Sequence, residues 1–178
     1  NDPSSTTNTA QYNLAVGATA LGRVTTGDNN TAIGYNALDA LTTGSRNTGI
    51  GYAALNDNTS GASNTAVGNN ALNSNTTGDY NSAFGEYSLE ENTTGIGNTG
   101  YGINSLRENT TGDGNTGLGN GALNNNTTAD NNTAIGTSAL SSNTTGSRNI
   151  AIGKSAYDGG DTENDNLAIG YDALGGGV

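Results

Sequence analysis

Large apolar side chains are sparse along this chain and fall on a strict beat. Val16, Ile33, Ile50, Val67, Phe84, Tyr101, Leu118, Ile135, Ile152 and Ile169 follow one another at 17-residue intervals. A second column at the same interval runs from Leu21 to Leu174 and is Leu throughout except at Tyr157. Every member of the first column is preceded by Ala or Gly, and every member of the second by Ala or Ser. The repeat holds register without insertion from the unit beginning at Thr25 to a decayed copy beginning at Asp161, with a partial copy in front, giving ten units. Within a unit, Thr31-Ala32-Ile33 alternates with the period of a strand. Glycine every eight or nine residues and the Asn-Thr-Thr-Gly joints exclude any helix longer than two turns. A repeat of this length with short β-branched runs predicts an all-β fold, a parallel β-solenoid (β-roll) of about ten 17-residue coils.

Two further columns are filled in every unit. One is Asn13, Asn30, Asn47, Asn64, Asn81, Asn98, Asn115, Asn132, Asn149 and Asn166. The other is Gly17, Gly34, Gly51, Gly68, Gly85, Gly102, Gly119, Gly136, Gly153 and Gly170. The asparagines are expected to form a structural ladder from coil to coil, as stacked amides do in cross-β assemblies. The glycines, with Gly44 and its copies, are expected at turns where a Cβ would clash or φ is positive. The residue after the first glycine varies freely (Ala18, Tyr35, Asn69, Glu86, Ile103, Lys154), as a solvent-facing site does. Alternation puts Ile33 and Ala32 on opposite faces. The large column reads as the coil interior, leaving the Ala/Gly column outside. That column is either shaped by sterics beside the glycine turn or is a second buried face where neighbouring chains meet, most simply in a homotrimer.

Composition adjusts this picture. The chain has 178 residues, of which 30 are Asn, 29 Gly and 27 Thr, and a formal charge of −11. So few large apolar residues would ordinarily signal disorder, and only the exact repeat argues against it. Cys, His, Met and Trp are absent, which removes disulfides, thiol or imidazole catalysis and Cys/His zinc sites. Five Lys and Arg against sixteen acids leave no basic footprint for nucleic acid, and no apolar run is long enough for membrane insertion as a helix. The expected organisation is an N-terminal extended segment over 1–12 and a solenoid repeat domain over 13–178. Arg46, Arg107 and Arg148 are expected to be hidden within folded coil, away from trypsin.

The run Asn30-Thr31-Ala32-Ile33-Gly34-Tyr35-Asn36-Ala37 resembles the head repeat of YadA-like trimeric autotransporter adhesins, as do Asn64–Ala71 and Asn132–Ala139. The 17-residue pattern with its Asn-Thr-Thr-Gly joint is also similar to repeats of bacteriophage tail fibres. The resemblance implies a left-handed β-roll, assembly as a trimer, and a binding or structural role at a cell or virion surface. The adhesin repeat is about three residues shorter, so Asp39-Ala40-Leu41 must widen the coil, and Thr31 stands where that family commonly has Val.

Motifs that suggest chemistry are weak. Residues 95–100 and 112–117 match the dinucleotide pattern Gly-x-Gly-x-x-Gly, but that fingerprint needs a strand before it and a helix after it. Asp161, Glu163 and Asp165 alternate acids as calcium sites do, without the accompanying glycine pattern. Asn58, Asn75, Asn92, Asn109, Asn126 and Asn143 begin Asn-x-Thr/Ser sequons, read as exposed turns open to glycosylation. Thr26, Thr43, Thr77, Thr94 and Thr111 form a threonine column of the kind ice-binding solenoids present, although the strand itself is Thr-Ala-Ile. Tyr35, Tyr52 and Tyr171 share a column that could stack on sugars. No catalytic constellation, cofactor site or metal site is expected. The reading is a non-catalytic extracellular structural fibre, filament or adhesin shaft segment whose partner is another copy of itself. The alternative is a module binding surface glycans or a host receptor. Strand columns persisting to both ends, with no capping helix, favour head-to-tail assembly into a filament.

Overall fold

The computed structural model describes residues 8–159 and 162–175. Ten three-residue strands, one per coil, carry the fold: β1 (Leu14–Val16), β2 (Thr31–Ile33), β3 (Thr48–Ile50), β4 (Thr65–Val67), β5 (Ser82–Phe84), β6 (Thr99–Tyr101), β7 (Thr116–Leu118), β8 (Thr133–Ile135), β9 (Ile150–Ile152) and β10 (Leu167–Ile169). They form one parallel sheet in sequence order. The register advances by 17 residues at every step, so Thr31 pairs with Thr48 and Ile33 with Ile50. The chain is a parallel β-solenoid. Of the segment expected to be extended, residues 1–7 lie outside the described residues. Thr9 and Ala10 already donate their N–H groups to the Thr25 carbonyl, so coil-to-coil bonding starts before residue 13.

The pleat is the reverse of the one read from the sequence. Ala32, Ala66, Ala83, Ala134 and Ala151 are fully buried, whereas Ile33 and Tyr101 are 36% and 57% exposed. The small column faces the interior and the large column faces out. The reason lies across the coil, where Leu38, Leu55, Leu72, Leu89, Leu106, Leu123 and Leu140 come over from the opposite wall and fill the space, each fully buried. The coil is so thin that only Ala or Gly fits opposite. A Cβ on Gly49 would stand 3.3 Å from Leu38 Cγ and 3.0 Å from the Ala54 carbonyl oxygen. The proposed meeting of chains along the Ala/Gly column therefore has no surface to act on.

Composition co-varies inside this thin core. The position before the Leu is Ser rather than Ala at Ser88 and Ser105, and the strand residue one coil on is then Gly100 and Gly117. A Cβ at either glycine would come within 2.5 Å of the serine Oγ. Gly100→Ala is expected to cost about 1–3 kcal/mol through overpacking, and adding Ser88→Ala should recover most of it. Urea melts of the single and double variants check this, and equal losses in both would refute the pairing.

Each coil turns at three left-handed corners occupied mostly by non-glycine residues, exemplified by Asn29, Asn36 and Leu38 at φ of 59°, 57° and 53°. Gly97 and Gly114 occupy the corner that holds Asn29 in its own coil, at φ of 70° and 66°. These are the glycines that complete the dinucleotide pattern. Strands β6 and β7 lie within the two motifs or run on from them, and no helix occurs among the described residues, so the match reflects corner geometry.

Candidate functional site

The chemistry of this molecule is concentrated in buried amides. Asn30, Asn47, Asn64, Asn81, Asn98, Asn115, Asn132 and Asn149 sit at the corner before each strand and are essentially inaccessible. Each side chain reaches forward to the next coil. Asn81 Oδ1 accepts from the Asn98 backbone N–H at 2.9 Å, and Asn81 Nδ2 donates to the Gly95 carbonyl at 2.8 Å. Asn98 repeats this with the Asn115 N–H at 2.9 Å and the Gly112 carbonyl at 2.7 Å. The same bonds run from Asn13, whose Oδ1 accepts from Asn30 N–H, to Asn149, whose Oδ1 accepts from Asn166 N–H. Direct amide-to-amide bonds in this column are longer, as at Asn98 Nδ2 to Asn81 Oδ1, 3.2 Å. The column is mainly a side-chain-to-backbone clamp that satisfies polar groups no water can reach. Asn98→Ala removes two such bonds and strands the buried Asn115 N–H, while the Gly112 carbonyl keeps only its bond from Asn109 Nδ2 at 3.0 Å. It is expected to destabilise by about 1–3 kcal/mol, measured by denaturant unfolding. A change within error would sink the clamp.

A second ladder stands where the sequence predicts exposed turns. Asn58, Asn75, Asn92, Asn109, Asn126 and Asn143 are buried as completely as the first column, not exposed glycan acceptors. Asn92 Nδ2 donates to Asn75 Oδ1 at 2.8 Å and to the Gly95 carbonyl at 3.1 Å, and Asn109 and Asn126 continue the amide stack at 2.8 Å. Leu41 takes the same column two coils from the amino end and is also fully buried. That substitution was the signal available in the sequence, since a position shared by Leu and Asn is an interior one. A folded coil offers no route for an oligosaccharide to these nitrogens.

The glycine column makes the tightest contacts. Gly34 has φ of 142°, and a Cβ there would lie 2.1 Å from the Gly51 carbonyl oxygen. Gly17, Gly51, Gly68, Gly85, Gly102, Gly119, Gly136 and Gly153 repeat the arrangement against the next coil. Gly170, in the outermost described coil, keeps the positive φ without a backbone neighbour as close. Gly44 belongs to the other turn, and a Cβ on it would sit 2.3 Å from the Gly61 carbonyl oxygen.

Charged groups lie outside, and three of the arginines, Arg23, Arg107 and Arg148, pair with an acid of a neighbouring coil. Arg107 Nε meets Glu90 Oε2 at 2.7 Å, and this hydrogen bond is the main reason its guanidinium pKa rises. Arg148 holds Asp165 through bonds of 2.6 and 2.8 Å, which keeps that carboxyl below its ordinary range. Arg46 donates to Ser63 Oγ at 3.1 Å. The Arg46 and Arg148 side chains are exposed, contrary to the expectation that the coil would hide them. What the solenoid locks is their backbone, whose N–H groups bond the Asp28 and Asp130 carbonyls. Asp161 lies outside the described residues, and among those described no three acidic, histidine or cysteine side chains converge on a common point.

Two other candidate surfaces are partial. Tyr35 and Tyr52 stack at 5.6 Å with an interplanar angle of 19°, while Tyr171 is remote from them and lies under Lys154 Nζ. The column between is Asn69, Glu86, Ile103, Asn120 and Thr137, so the platform is two rungs wide. Of the joint threonines, the first in each pair turns its hydroxyl onto the next coil, as Thr93 Oγ1 does to the Thr110 carbonyl at 2.9 Å. The second, from Thr26 to Thr111, is exposed. No match to this chain is found among protein-family models, curated proteins or solved structures. Its own geometry has to carry the functional reading.

Proposed function

We propose that this chain is a non-catalytic structural module, a segment of an extracellular fibre, filament or adhesin shaft. One observation supports the reading above others. The strand pairing and the corner-asparagine bonds repeat at every step, and the polar chemistry of the interior is spent on holding one coil to the next. Catalytic sites require a break in such a pattern where acids, bases or donors converge on one point. Here the buried amides bond backbone and each other, and the charged groups are dispersed on the surface.

The outermost described strands, β1 and β10, keep the small central residue and the large third residue of those between them, with Leu where most of those have Thr or Ser at the first position. A further coil, whether from the same chain or from another copy, would continue the 17-residue register and satisfy the ladder groups that an edge strand presents. Where that coil comes from another copy, the partner is self and the assembly is end to end. A left-handed coil, a trimeric state and a place on a cell or virion surface rest on the adhesin and tail-fibre resemblance alone. The second reading, recognition of a surface glycan or host receptor, draws on the stacked Tyr35–Tyr52 pair.

Electron microscopy of the concentrated protein, with diffraction from aligned material, tests the first reading. Rods with an axial repeat of about 4.8 Å along their length are expected. Isolated particles at every concentration, together with saturable glycan binding abolished by Tyr35→Ala, would replace it with the second.

A further inference from the structure

The inverted pleat leaves a surface that a solvated molecule does not ordinarily present. The first and third residues of every strand point outward from the sheet, forming two parallel columns ten rungs long. The third-position column is the large apolar one, Val16 through Ile169, and its exposure reaches 65% at Ile169. The first-position column is Thr or Ser in seven coils and Leu or Ile in the other three. Neither column contains a charge or an amide, on a chain with a formal charge of −11 and 30 asparagines. The other exposed large side chains, among them Ile96, Ile103 and Tyr80, lie outside the strands.

We infer that this sheet face pairs with the same face of a second copy of the chain, around a two-fold axis parallel to the solenoid. The size fits such an occupant. Ten rungs at about 4.8 Å and three residues at about 3.3 Å give a strip of about 48 by 10 Å. Its third-position half is apolar along the whole length, and two such strips bury about 1,000 Å² together, where specific interfaces begin. A sheet of three-residue strands in constant register can stay in contact with its twin along its whole length at the usual sheet-to-sheet spacing.

Volumes choose the symmetry. Strand β5 carries Phe84, a bulky ring in the third column, and Ser82, the smallest residue in the first. An axis along the solenoid sets first column against third, rung by rung, so Phe84 meets Ser82 of the partner twice over. An axis along the strands would instead set third column against third and drive the stacked Phe84–Tyr101 pair into its own copy. A three-fold arrangement requires each chain to meet two neighbours at an angle, whereas this strip faces one way. Lateral pairing is independent of the end-to-end stacking proposed above.

Sedimentation equilibrium of the intact chain at micromolar concentration reads the pairing. The expected mass is twice the 17.7 kDa of the chain. I50K/I135K changes only outward-facing positions, and should give the single-chain mass with protease resistance unchanged. T111K, which adds a charge on a different exposed column, should stay paired. S82F is expected to weaken dimerisation at least tenfold, and S82F/F84S, which again sets one large residue against one small, should restore it to within about threefold. Should I50K/I135K lose protease resistance, the S82F and S82F/F84S pair decides alone. A single-chain or three-chain mass for the unaltered protein, or dimers undiminished in folded I50K/I135K, overturns the proposal. Failure of S82F/F84S to restore what S82F weakens overturns the parallel two-fold. In micrographs, end-to-end rods should narrow to single width in I50K/I135K, so loss of lateral pairing and loss of rods are read separately.

Discussion

Gly68→Ala, like the same change elsewhere in its column, is expected to be among the most damaging single-methyl changes in the molecule, costing about 4 kcal/mol or more in denaturant unfolding. Two penalties coincide there. The φ of 147° lies where L-residues are rarely found, a strain on the order of 1–3 kcal/mol. The added Cβ would also stand 2.4 Å from the Gly85 carbonyl oxygen and 2.6 Å from its carbon. Those atoms belong to backbone and cannot rotate aside. Relief requires spreading the two coils, and Gly85 N–H bonds the Val67 carbonyl at 2.9 Å across the same gap, so spreading breaks that ladder bond. Gly97→Asn is the matched control. Its φ of 70° suits asparagine, and no atom lies within 4 Å of the new Cβ, so a change below about 1 kcal/mol is expected. Similar losses at both sites would show that the close approach of turns does not govern stability.

Leu106→Ala comes next, at about 3 kcal/mol, within the range for emptying a buried leucine site. Leu106 is fully buried, and the interior around it is one side chain thick, so little can collapse into the space. The backbone is no obstacle, because its φ of 53° is as accessible to alanine as to leucine. Stability in a stacked array is a sum of coil and nearest-neighbour terms. The damage should therefore centre on the coil of Leu106 and its two neighbours, and hydrogen exchange should show faster opening there than at Leu38. Uniform acceleration along the whole chain would argue against a core so local. By contrast, Ile33, as large and in the adjacent strand column, is partly exposed, and its truncation should cost much less.

The difference between those two residues separates what the sequence determined from what the tertiary structure decided. Register was legible outright. A glycine and an asparagine recurring every 17 residues without a slip leave no fold but one in which equivalent residues stack, and strand positions follow from Thr-Ala-Ile and its copies. The corner asparagines could be placed for the same reason, because an amide that recurs at one position has a copy of itself above and below. Facing was not legible. In a three-residue strand, alternation says only that Ala32 and Ile33 point opposite ways, and the usual preference for burying the larger one favoured Ile33. Which of them turns inward depends on what the opposite wall supplies, and Leu38 from that wall had already filled a coil too narrow for two large side chains. The same long-range fact governed Asn58 and its copies, whose local Asn-Thr-Thr-Gly sequence is that of a surface turn but whose side chains bond each other in the interior. Sequence periodicity set the stacking because it is a property of neighbours at fixed spacing. Only the closed coil set inside and outside, because the volume available to a side chain is fixed by residues on the far wall.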